Sequence, residues 1–152
     1  MKYHINNDTF NKTLIVFWAF WWLIAFWTDI VGGFAHLGIL KASWAPDSNY
    51  PFLVSTLKMY QVPSVIPFIF FILILTWSLI STLVFFWASF ALSQPREVWI
   101  ARTRTAYIIS LSFWLAFFLA DQLVMKFDLE ENHMVQGGFE LLTFFALYIL
   151  PV

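Results

Sequence analysis

Long apolar runs separated by short polar stretches divide the chain into four candidate membrane spans. Crossing about 30 Å of hydrocarbon takes roughly 20 predominantly apolar residues in helical form. The first run extends from Thr13 to about Leu40, opening with LIVFWAFWWLIAFW and continuing past Asp29 through VGGFAHLGIL. A second lies between about Pro63 and Leu92, where Pro63 and Pro67 suit a first helical turn or a kink better than a helix interior. The third covers Thr105 to Met125, and the fourth runs from about His133 to Leu150, just before Pro151. This pattern predicts an all-α fold, an integral membrane bundle of four transmembrane helices with short loops, as a single membrane domain over residues 1–152. Between the first two spans, Phe52, Leu53, Thr56, Leu57 and Tyr60 recur near helical spacing behind the turn residues Pro46, Asp47, Ser48 and Asn49. That spacing fits a short helix lying flat at headgroup level, and an irregular loop is the alternative.

Composition supports the membrane reading: 61% of the residues are hydrophobic, 22% are aromatic, and the charged set is 8 Lys plus Arg against 9 Asp plus Glu. Neither a disordered segment nor an ordinary soluble domain has this balance. The formal charge of -1 offers no basic surface for nucleic acid. Absent cysteine excludes thiol nucleophiles, disulfides and Cys-ligated metals. Lys2, Lys12, Arg96, Arg102 and Arg104 share one side of the predicted topology, which the positive-inside rule makes the cytoplasm. Both termini are then cytoplasmic, while the loop from Lys41 to Val62 and the turn KFDLEEN face outward. With this orientation the sequons at Asn7 and Asn11 are chance matches. The first span is too long and too bulky for a signal peptide.

Function has to be sought in the polar residues inside the spans, because a charged group in hydrocarbon costs at least ~2.5 kcal/mol and usually turns inward to a partner or water. Asp29, His36, Asp121, Gln122, Gln136 and Glu140 qualify, with His133 at a boundary. Asp29 and His36 are seven residues apart and fall on one helix line, with Gly32 and Gly33 between them. His133, Gln136, Gly137 and Glu140 repeat the device on the fourth span. Small residues on such a stripe let two helix backbones approach closely. Counting the helical rise puts Glu140 roughly 10 Å below the outer boundary and Asp29 roughly 24 Å from the inner one, with Asp121 near the same layer.

Carboxyls sharing a dry layer cannot all stay ionised without a shared proton, a bound metal or entering water. These observations point to a membrane-embedded pocket that binds or processes a lipid-soluble small molecule of the isoprenoid, sterol or quinone class. Asp29, His36, Asp121 and Glu140 are its candidate proton donors and acceptors, with Trp22, Trp27 and Gln136 as candidate ligand-binding walls. The alternatives are a non-catalytic subunit whose polar groups contact partner membrane subunits, and a proton-coupled transporter. No Glu-x-x-His lies inside a span and there is no His-x-x-x-His pair, so no metal is assigned. A Gly-rich phosphate loop and a G-x-S-x-G serine are likewise missing.

The segment VGGFAHL (31–37), the later DSNY (47–50) and Asp121 resemble the emopamil-binding family of small four- to five-helix sterol isomerases and ligand receptors. That family sets acidic residues and tryptophans around a hydrophobic amine or sterol. Its acid shortly after the first-helix histidine would fall near Leu40, and its acid around the second span has no counterpart between Ser55 and Leu92. The resemblance therefore implies no isomerase activity.

Overall fold

The computed structural model describes residues 7–41 and 49–150. Lys2, the Pro46–Ser48 turn and Pro151 lie outside the described residues. The described residues form five helices: α1 (Asn7–His36), α2 (Asn49–Lys58), α3 (Val65–Ser89), α4 (Arg96–Leu123) and α5 (Phe127–Ile149). Among the described residues there is no strand.

Local chemistry explains the helix limits. α1 starts before its apolar run because Asp8 sits at the positive end of the helix and bridges Lys12 one turn on, at 2.7 Å. It stops at His36, short of the Leu40 that apolarity alone suggests. Gly38 takes φ 74°, and the amides of Gly38 and Ile39 return to the carbonyls of Ala35 and Phe34 at 3.1 and 2.9 Å. This is a Schellman ending, and only a residue without a Cβ adopts its backbone freely. α4 ends in the same way on Met125, at φ 54°, with Lys126 returning to the Asp121 carbonyl at 2.9 Å. The turn into α5 is therefore very short. Proline marks the starts: Pro51 and Pro67 stand in the first turns of α2 and α3, and Pro95 immediately precedes α4, where amides lack intrahelical acceptors anyway.

α1, α3 and α4 are long and apolar enough to cross a membrane. α5, which contains the expected fourth span, is not among them, because its first half carries acidic residues, His133, Gln136, two glycines and Glu140. α2 is the short helix that the spacing between the first two apolar runs allowed.

The chain packs as two compact units, Met1–Trp21 with Ile80–Val152, and Trp22–Leu79. In the first, Ile15, Trp18 and Ala19 of α1, Phe85 and Ala88 of α3, Trp99 and Tyr107 of α4 and Leu147 of α5 are buried. α1 and α4 run in parallel there, Lys12 lying over Trp99 at 5.7 Å and Trp21 against Trp114 at 5.8 Å. Leu115, Leu119 and Leu123 recur every four residues along α4 at 60%, 69% and 77% exposure, an outward stripe suited to lipid. The second unit is knit by rings: Tyr50 of α2 lies between His36 of α1 and Phe71 of α3, at 4.9 and 5.1 Å.

Asn11 is fully buried, so its side chain has no room for a glycan in this fold.

Candidate functional site

The α4–α5 hairpin brings the polar residues of the first unit together. α4 contributes Tyr107, Ser110, Trp114 and Asp121, and α5 contributes His133, Gly137, Glu140 and Thr143. Each set recurs every three, four or seven residues, so it lies along one face of its helix. Gly137 sets the separation. A Cβ there would meet Cβ and Cγ of Trp114, both at 2.9 Å, so the two backbones are as close as a missing side chain permits.

At the turn end of this seam, Nδ1 of His133 lies 2.5 Å from Oδ2 of Asp121. The Asp121 side chain is 5% exposed and that of His133 is 16%, so the pair is desolvated on the carboxylate side and more open on the imidazole side. Phe117 and Trp114 rings stand 4.5 and 6.0 Å from the imidazole. Beside the pair, Gln122 donates to Glu130 at 2.6 Å, a second clasp across the same turn. With Nδ1 engaged by the carboxylate, Nε2 is the ring nitrogen left to meet a ligand or water. The Asp–His pair can therefore hold a proton and pass it through the imidazole.

Further along the seam, Glu140 is fully buried. Trp114 Nε1 donates to its Oε2 at 2.7 Å, and Ser110 Oγ is hydrogen-bonded to its Oε1. One turn further, Thr143 Oγ1 donates to the Glu140 carbonyl at 2.7 Å and accepts from Trp18 Nε1 at 2.8 Å and Tyr107 OH at 3.3 Å. At the far end, Arg104 Nε donates to Tyr148 OH at 3.0 Å.

Asp29 and His36 lie in the other unit. Asn49 Nδ2 donates to Asp29 Oδ1 at 2.6 Å, and His36 packs edgewise on Tyr50. Both thus meet α2, and Gly33 between them faces Phe71, whose ring edge would lie 2.8 Å from an added Cβ. Trp22 is buried, whereas Trp27 is 58% exposed. Gln136 donates to Asn132 at 3.1 Å, within its own helix. Among the described residues no three His, Asp or Glu side chains gather closely enough to hold a metal ion.

Sequence reasoning singled out Asp121, His133 and Glu140 but missed the partners that place them. Ser110, Trp114 and Asp121 stand at i, i+4 and i+11 on α4, a spacing visible in the sequence. Thr143 extends the His133–Gly137–Glu140 stripe by one more turn. Both signals are faint, because serine, threonine and tryptophan are ordinary fillers of apolar helices.

No protein-family model, curated protein or solved structure matches this chain.

Proposed function

We propose that the protein is a multi-pass membrane protein that binds a lipid-soluble small molecule at the Asp121–His133 pair. On this reading the chain crosses four times with both termini cytoplasmic, and α5 is the fourth crossing. Glu140 lies on the α5 face turned onto α4 and is fully buried, so it presents nothing to lipid. The tight turn between α4 and α5 then lies at the outer boundary, with the Asp–His pair just beneath it.

The observation that carries the proposal is the pair itself, a carboxylate–imidazole hydrogen bond between aromatic rings, with the second imidazole nitrogen unengaged. Such a group recognises a carbonyl or hydroxyl oxygen, and the surrounding apolar helices accommodate a long hydrocarbon tail. An isoprenoid, sterol or quinone has this division into one oxygen head and an apolar body. Asp121 fixes the imidazole tautomer, and His133 donates to or accepts from the head.

Gentle detergent extraction followed by native mass measurement tests the reading. The expected wild-type species carries one lipid-soluble molecule per chain. Removing the charge-assisted bond with Asp121→Asn costs about 1.5–3 kcal/mol, so retained ligand falls at least tenfold. A wild-type chain that carries no such molecule, or Asp121→Asn and His133→Gln chains that retain it fully, would overturn the assignment. A stoichiometric co-purifying protein, with no lipid, would instead identify a subunit of a larger membrane complex.

A further inference from the structure

Two arginines near the start of α4 are each seated on an aromatic ring of a neighbouring helix. Cζ of Arg102 lies 4.7 Å from the Trp87 ring centre on α3, and its Nη1 donates to the Trp87 carbonyl at 3.3 Å. That carbonyl belongs to the last turn of α3, where intrahelical donors run out. Cζ of Arg104 lies 5.8 Å from the Tyr148 ring centre on α5, and its Nε donates to Tyr148 OH at 3.0 Å. Two residues along a helix differ by about 200°, so the guanidiniums leave α4 on opposite sides, one toward α3 and the other toward α5.

Neither seat neutralises the charge. Among the described residues neither arginine pairs with a carboxylate, and each commits one N–H of its planar fork to the protein. The ring covers one face of the guanidinium and fixes its plane, which leaves the edge of the fork for parallel bonds to an anion. Position indicates which anion. Trp87 and Tyr148 stand within a turn of the ends of α3 and α5 and are 45% and 51% exposed, as amphipathic rings are at headgroup level. Each ring also ends an exposed apolar stripe at helical spacing: Ile80, Leu83 and Trp87 on α3, and Leu141, Phe145 and Tyr148 on α5. These stripes give a hydrocarbon chain a track leading away from each arginine. A phosphate that carries acyl chains uses both the charge and the track, whereas a free anion uses the charge alone.

We infer that Arg102 and Arg104 bind the phosphate headgroups of anionic phospholipids, one on each side of α4, with the ring beneath each guanidinium setting its orientation. The inference rests on the reading that these helices cross a membrane, and is independent of what binds at Asp121 and His133.

Resistance of the chain to carbonate extraction from membranes checks the membrane reading, and a chain released into solution would overturn both. The full chain in mild detergent is then titrated with phosphatidylglycerol and, separately, with phosphatidylcholine of the same acyl chains, and native mass measurement counts the bound lipid. The wild type is expected to prefer the anionic lipid, and that preference falls about fivefold in Arg102→Gln and likewise in Arg104→Gln. Arg96→Gln removes an equal charge from an exposed position without a ring seat among the described residues, and should change the preference much less. Should Arg102→Gln fail to fold for want of its bond to the α3 carbonyl, Arg104→Gln, which leaves that bond in place, decides. Equal binding of the two lipids by the wild type, a loss in Arg96→Gln as large as in the other two, or displacement of the bound lipid by inorganic phosphate would overturn the inference.

Discussion

Two neighbouring glycines on α5 give a packing prediction that isolates the α4–α5 contact. A Cβ on Gly137 would stand 2.9 Å from both Cβ and Cγ of Trp114 and 3.1 Å from Phe118 Cζ, whereas one on Gly138 would meet nothing within 4 Å. Trp114 Cβ is attached to the α4 backbone and cannot swing away, so Gly137→Ala forces the helices apart by several tenths of an ångström. Overpacking of this kind costs about 1–3 kcal/mol. Alanine is the better helix former and returns up to about 1 kcal/mol in either position. Gly137→Ala should therefore destabilise the protein by about 1–2 kcal/mol, while Gly138→Ala is neutral or stabilising.

The assay is denaturant unfolding of both variants in one mild detergent, followed by tryptophan fluorescence and far-UV circular dichroism. Chemistry and helix position are matched, so the difference between the variants reports the Trp114 contact. Gly33→Ala is a useful third point: its nearest neighbour is the movable ring edge of Phe71, and the cost should stay below about 1 kcal/mol. Equal shifts for Gly137→Ala and Gly138→Ala would refute the close approach of α4 and α5.

Two further outcomes follow from the buried polar groups. Thr143→Val removes the acceptor of Trp18 Nε1 and Tyr107 OH at nearly constant volume, and should cost about 2–3 kcal/mol in the same assay, while Thr143→Ser costs less than about 1 kcal/mol. A valine variant as stable as the serine variant would show that the bonds contribute nothing. Asn11 is fully buried and neither polar atom of its side chain has a partner, so Asn11→Leu should stabilise the fold by about 1 kcal/mol or more. A destabilised leucine variant would reveal a buried partner for the amide.

Much of the fold is legible in the sequence, for reasons that also explain the misses. Apolar length located the long helices, and spacing between the first two apolar runs allowed α2 as one of two readings. Length alone overran α1 by four residues, because a glycine ending was present at Gly38 but lay inside an apolar run that looks helical throughout. The stripe of His133, Gly137 and Glu140 identified the buried face of α5 because its polar residues interrupt hydrocarbon. The facing residues of α4 were harder to see: a helix that is apolar nearly all round gives little periodic contrast, so Ser110 and Trp114 did not stand out. Grouping Asp29 with Glu140 rested on estimated depth, and the two residues belong to different compact units. Asp29 and His36 turn to Asn49 and Tyr50 of α2, polar and aromatic partners that lie beyond the span.

Access to the surroundings divides the chemistry along the α4–α5 seam. Glu140 sits where a small-residue approach closes the helices and is fully buried, accepting from Trp114 Nε1 and Ser110 Oγ. Asp121 and His133 sit where the helices separate into the turn, with a half-buried imidazole whose second nitrogen is unengaged. On the proposed reading a ligand head takes that end, while the middle of the seam holds the two helices together. Substitution at Asp121 should accordingly change what the protein retains, whereas Glu140→Gln should leave the retained molecule in place. Loss of the retained molecule from Glu140→Gln as well would mean that the two groups form one site.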